Sequence, residues 1–321
     1  MSASAPSKNP LRALLARADG LEARFLLRPP PPGVLGRLLR AVQAVVLAGR
    51  RYREDHAGDR AAALAFATLL SMLPLLLLAL SVFGASGVAP ERINAVRTWL
   101  LENFVPETAR AFQGNFEGTL VDLRNASRGL GIAGGVLLLA AGWKLYATLQ
   151  RTFEQIWGVH DFRSRLRRLV GFWGTLLLAP FLVTASVVLS GQYEAAAARG
   201  AIPPGNLSQV LSLLLPAIPG LVGVVLVYRF CAGKATSWRS AILGAAVAAV
   251  CWEWLKIGFA IYVKRAIVTR TLIAGMGVLP VFLVWLYLSW VAFLLGAELA
   301  FVANGYDDAL KRAGLRREDE P

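Results

Sequence analysis

Ala61 to Gly84 is a run of 24 residues without a single charge. The hydrocarbon core of a bilayer is about 30 Å thick, and an α-helix of roughly 20 apolar residues crosses it. Five more windows follow: about Gly129–Leu149, Val170–Gly191, Leu207–Tyr228, Ala241–Val263 and Leu279–Ala303. Inside lipid a segment must satisfy its own backbone hydrogen bonds, so these windows predict helices. The alternation of a β-barrel strand is missing from them. The expected fold class is all-α, a polytopic integral membrane protein with six transmembrane helices and a membrane domain over residues 34–305.

Composition fits that reading once charge is located. The chain is 56% hydrophobic and 17% charged, yet its net charge is +14. Soluble domains average roughly 45–50% apolar and about 25% charged residues. A nucleic-acid binder could carry the net charge, but not on so apolar a chain. The 34 Lys and Arg sort by side. Twenty-three lie before the first window, between the second and third, between the fourth and fifth, and in the C-terminal tail; nine lie in the remaining loops. The positive-inside rule then puts both termini in the cytoplasm. The expected partners are membrane lipids, with anionic headgroups on the cytoplasmic side and no nucleic acid. The sequence leaves a homo-oligomer open.

The flanks divide further. Met1 to Pro32 has scattered arginines and no apolar core of a signal peptide, so residues 1–33 read as a disordered basic cytoplasmic tail. Residues 306–321 read as a second, charged cytoplasmic tail. Val34, Leu35, Leu38, Leu39, Val42, Val45 and Val46 recur at helical spacing against Arg37, Arg40, Arg50 and Arg51. That pattern predicts an amphipathic helix on the inner leaflet. Between the first two windows, apolar stripes at Ile93, Val96, Trp99, Leu100 and Phe104, and at Phe112, Phe116, Leu120 and Leu123, predict an outer helical hairpin.

Ionisable residues inside spans cost about 2.5–3.5 kcal/mol each at a helix centre, so they are the first functional candidates. Glu253 and Lys256 lie one turn apart near the middle of the fifth window. They read equally as a self-neutralising pair that fixes packing or as a substrate or proton site. Lys144 and Glu298 lie near the expected cytoplasmic ends of the second and sixth windows, either snorkelling to the interface or pairing across helices. Pro74, Pro180, Pro216 and Pro280, with Pro219, are candidate kinks. Asp55 or Asp59 is placed to cap the first span. Gly131, Gly134, Gly135, Gly275 and Gly277 would permit close helix approach. Two histidines and two cysteines, Cys231 and Cys251, make neither a metal cluster nor a disulfide framework. No nucleophile elbow, Walker A motif or dinucleotide fingerprint occurs, so no enzyme activity, cofactor or metal is expected.

Several stretches together resemble the YihY/BrkB family of bacterial inner-membrane proteins. They are Asp59-Arg-Ala-Ala-Ala-Leu-Ala-Phe-Ala-Thr-Leu-Leu-Ser-Met-Leu-Pro74, Leu149-Gln-Arg-Thr-Phe-Glu-Gln-Ile-Trp157, Trp252-Glu-Trp-Leu-Lys256, and Gly277 through Trp290 to Gly296-Ala-Glu-Leu-Ala300. The resemblance covers roughly residues 35–305. It implies six transmembrane helices with both termini inside and no settled activity. Members have carried the label ribonuclease BN by misassignment, others are linked to serum resistance, and some to export of envelope lipid or lipopolysaccharide. The ribonuclease reading conflicts with this chain, whose two isolated histidines cannot build a metal-dependent nuclease site. Two functions stay open: a transporter or flippase-like protein for a lipid or amphipathic envelope solute, and an envelope scaffold without transport.

Overall fold

A computed structural model of the chain describes residues 20–85, 136, 139–158, 165–199, 206–231, 236–268, 278–312 and 315. Every regular element among them is helical. In chain order they are α1 (20–27), α2 (Val34–Glu54), α3 (Ala57–Ala85), α4 (139–157), α5 (Arg165–Ala198), α6 (Asn206–Cys231), α7 (Trp238–Val268), α8 (Val278–Asn304) and α9 (Tyr306–Arg312). Among the described residues, two segments are long and apolar enough to cross a membrane, Trp238–Tyr262 in α7 and Pro280–Asn304 in α8. A shorter apolar segment, Ala217–Cys231, belongs to α6. The predicted outer hairpin and the glycines at 131, 134, 135, 275 and 277 lie outside the described residues.

Among the described residues, the closest backbone approach of α7 and α8 falls at Gly244 and Gly296. A Cβ on Gly296 would lie 2.7 Å from the Ala248 Cβ, the Gly244 carbonyl and the Tyr228 hydroxyl. A Cβ on Gly244 would collide with the Gly296 carbonyl and the Ala300 Cβ. Gly244 and Ala248 therefore mesh with Gly296 and Ala300, a small-residue seam at four-residue spacing on both helices. The Tyr228 hydroxyl of α6 donates to the Phe293 carbonyl at 2.5 Å and adds a third helix to the seam.

Among the described residues the larger core gathers at one set of helix ends, and a smaller cluster forms around Phe259 and Trp285. The start of α3, the end of α4, the end of α6, the start of α7 and the end of α8 all contribute fully buried residues to the larger core, among them Ala61, Ile156, Tyr228, Ala241 and Ala297. Phe153 stacks on Trp157 at 5.3 Å and also meets Tyr228 and Phe293. Asn304 Oδ1 accepts from the Ser237 backbone N–H at 2.8 Å, tying the start of α7 to the end of α8. These are the helix ends that the loop charges assign to one side.

The N-terminal flank differs in part from the disorder expected over residues 1–33. From residue 20 the N-terminal segment is folded: Leu26 is buried, and Gln43 Nε2 of α2 donates to the carbonyls of Phe25 and Arg28 at 2.8 and 2.9 Å. The Phe25 carbonyl also accepts from the Arg28 backbone N–H at 3.3 Å, so the glutamine adds a second bond there, satisfies the Arg28 carbonyl, and ties α2 to the end of α1. The tail after residue 305 forms α9, with Ala309 and Leu310 buried and the Tyr306 hydroxyl donating to the Leu26 carbonyl at 3.0 Å. The two segments dock on each other because each supplies apolar residues that neither could bury alone.

Candidate functional site

Glu298 is the sole charged residue of α8 and is wholly buried. Burying an unpartnered carboxylate is costly, so a partner is required. Arg51 of α2 supplies it. Its side chain is 4% exposed, and its Nε donates to Glu298 Oε2 at 3.1 Å. Its Nη2 donates to Asp55 Oδ2 at 3.0 Å and to the Ile156 carbonyl at 3.1 Å. That carbonyl closes α4, where no further turn can use it. The guanidinium also stands 4.3 Å from the ring centre of Phe301, one turn along α8 from Glu298. Trp157 meets the same ring edge-on. One side chain thus joins α2, α4 and α8, and two carboxylates share one cation.

Around this centre several polar atoms are buried without a hydrogen-bond partner: Glu298 Oε1, the Tyr52 hydroxyl and Trp157 Nε1. Burial pushes the Tyr52 phenol up to about 12, and electrostatic coupling to the neighbouring Tyr287, Asp59 and Glu298 adds to the effect. Asp55 closes α2 and Asp59 sits in the first turn of α3, favourable at the positive end of the helix dipole. The two elements are joined through His56, whose φ of +50° makes the tight turn.

The second charged pair has a different setting. Lys256 Nζ lies 2.7 Å from Glu253 Oε1 on the same helix, with the side chains 29% and 44% exposed. Val250, Trp254 and Ile257 beside it are exposed as well. Trp252, between them in sequence, turns instead to Trp285 of α8 at 5.3 Å. The pair therefore sits on an outer face of α7, whereas neighbouring aromatics hold α7 to α8. Among the described residues no group of His, Cys, Asp and Glu is arranged to hold a metal ion.

A family model described as virulence factor BrkB matches residues 48–320. The chain belongs to this family. A UPF0761 membrane protein of Verminephrobacter eiseniae is 31% identical over 270 residues, covering 83% of this chain and 62% of the relative. Another from Alkalilimnicola ehrlichii is 32% identical over 276 residues, covering 85% and 61%. The chain spans about three fifths of the length of these curated relatives. No solved structure matches it. The chain is thus a helical membrane protein of the BrkB family, and Arg51, Glu253, Lys256 and Glu298 all fall within the matched region.

Of the residues singled out in the BrkB chain from sequence, Glu253 and Lys256 come together and Lys144 and Glu298 do not. Lys144 is exposed. Helix α4 continues to residue 157, well past the predicted window, so Lys144 lies about 18 Å along the axis from Ile156, where Arg51 and Glu298 meet. Arg51, placed by periodicity on the polar face of α2, is turned inward. Leu47 and Ala48, one turn before it, are buried, and that signal marks the docking face. Pro74, Pro180 and Pro216 fall inside α3, α5 and α6, each of which continues as a helix through its proline. Pro280 stands in the first turn of α8, where a missing N–H breaks no intrahelical bond.

Proposed function

We propose that the chain is a six-span bacterial inner-membrane protein with both termini in the cytoplasm. We further propose that it moves a lipid or amphipathic envelope solute along the outer face of α7. The observation that carries this reading is the Glu253–Lys256 pair, half-exposed in the middle of an apolar helix. A charged pair facing hydrocarbon is costly, so such a pair marks a surface that meets water, a headgroup or a partner. A cation and an anion 2.7 Å apart match the mixed polarity of a headgroup, while the flanking Val250, Trp254 and Ile257 match its acyl portion. Basic flanks on the helix ends that converge in the core support the orientation. No covalent chemistry is involved.

The test is translocation of a fluorescent phospholipid in proteoliposomes, with wild type, Glu253→Gln and Lys256→Ala compared. Movement in the wild type that both substitutions slow is expected. Equal rates in all three, or no movement in any, overturns the site. A scaffold is the second reading, favoured by the Lys256 ammonium already being neutralised by Glu253. It predicts that neutralising both residues together leaves the cellular phenotype intact.

A further inference from the structure

We propose that the junction of residues 28–31 with α2 is a binding site for one anionic phospholipid, distinct from the face of α7. Its acyl chain would lie in an apolar groove and its phosphate on the neighbouring arginines. The groove is built into the fold. Pro29 and Pro31 form one wall, Leu35, Leu38 and Val42 of α2 form the other, and Arg28 completes the lining around about 540 Å³. That volume is within the range of small-molecule pockets. The walls are held together by Gln43, which bonds the Arg28 carbonyl. Gly36 lets the Pro31 backbone lie directly on α2, since any Cβ there would overlap the Pro31 carbonyl.

Charge names the occupant. The arginines in the second half of α2 each have an acid: Arg50 has Glu54, Arg51 has Asp55 and Glu298, and Arg53 has Glu22. Arg28 lines the groove, and Arg37 and Arg40 lie on the polar face of the same stretch of α2; all three are exposed, and among the described residues no carboxylate pairs with them. On the apolar face of that stretch Val34, Leu35, Leu38, Val42 and Val45 stay exposed, between 52% and 74%. Unneutralised cations beside an exposed apolar face are the chemistry that recognises an anionic lipid, with fixed positive charge for the phosphate and apolar surface for the tails. A soluble phosphate compound would use the arginines and leave the groove empty.

The test uses the full chain, purified in mild detergent and stripped of lipid. Phosphatidylglycerol, phosphatidylcholine of the same acyl length, or glycerol 3-phosphate is added, and bound adducts are read by native mass spectrometry. Phosphatidylglycerol should be retained preferentially, and glycerol 3-phosphate should not displace it. Replacing Arg28, Arg37 and Arg40 together by Gln should weaken phosphatidylglycerol binding by at least about tenfold. Arg28→Lys should keep most of the binding, and the acid-paired Arg50→Gln/Arg53→Gln variant should bind as wild type. Leu35→Gln/Leu38→Gln should lose the lipid while helix content by circular dichroism is unchanged. Equal binding of the two lipids, wild-type binding by the triple variant, or displacement by glycerol 3-phosphate overturns the proposal.

Discussion

The two charged pairs of this chain use the same chemistry for opposite ends. Arg51 and Glu298 lie 247 residues apart, are almost completely buried, and join α2 to α8 and to the Ile156 carbonyl of α4. Glu253 and Lys256 are three residues apart on one helix and half-exposed. The first pair holds elements together and cannot open without moving them. Among the described residues the second touches no other element through its charges. Local pairing thus marks the surface available for function, and long-range pairing marks the frame.

The largest effect should follow from breaking the frame. Glu298→Ala leaves a buried guanidinium with only Asp55 and a carbonyl, and removing one partner of a buried pair costs about 3–5 kcal/mol. Thermal unfolding in detergent should show it as a large drop in Tm. The double replacement Arg51→Met/Glu298→Leu removes both charges and should recover most of the loss, since well-packed apolar residues often substitute for a buried pair. Singles that unfold with the wild type would show that the pair is no tie. Next comes the seam beside it. Gly296→Val forces a Cβ to 2.7 Å from Ala248 and the Gly244 carbonyl, and overpacking of this kind costs about 1–3 kcal/mol or more. The same substitution at Gly258, where nothing stands within 4 Å, should be tolerated far better.

Neutralising the exposed pair should barely register in stability. Glu253→Gln/Lys256→Gln should change unfolding by less than about 1 kcal/mol, as same-helix pairs with solvent access contribute little. A drop as large as that of Glu298→Ala would erase the distinction between the two pairs and return Glu253 to a packing role.

How far each pair could be read from sequence follows from the range of its contacts. Glu253 and Lys256 are legible because three-residue spacing on a helix puts side chains on one face. The apolar stripe of α2 is legible for the same reason, and Val34, Leu35, Leu38, Val42 and Val45 do face outward. Arg51 was not, because its partner comes from the far end of the chain and helical periodicity carries no long-range term. Glu298 stands out in sequence as a charge in a span, but the sequence offers only snorkelling or a pair with Lys144, the cation of a window with a similar expected depth. The continuation of α4 through Phe153 and Trp157, interrupted in hydropathy by Arg151 and Glu154, hid how far Lys144 lies from that end. The seam of Gly244, Ala248, Gly296 and Ala300 is written at four-residue spacing, but so many small residues recur in these helices that spacing alone does not single it out.

The smallest effect sharpens the comparison most selectively. Tyr52 lies beside the buried pair, and burial, then electrostatic coupling to Tyr287, Asp59 and Glu298, raises its phenol from the ordinary 10.0 to about 12. A phenol is neutral while protonated. Between pH 10 and 12 the unfolded chain has therefore lost this proton while the folded chain keeps it. The contribution to stability is full below about pH 10 and is lost as the pH rises toward 12. Phenolate absorbance of wild type minus Tyr52→Phe isolates this group, and its midpoint should lie near 12, later than an exposed tyrosine. Glu298→Gln removes the weakest of the named causes and should lower that midpoint slightly. Glu253→Gln, on the outer face of α7, should leave it unmoved. A Tyr52 signal that titrates near 10, or one that responds equally to both substitutions, would mean that the buried pair and the exposed pair do not occupy separate electrostatic settings.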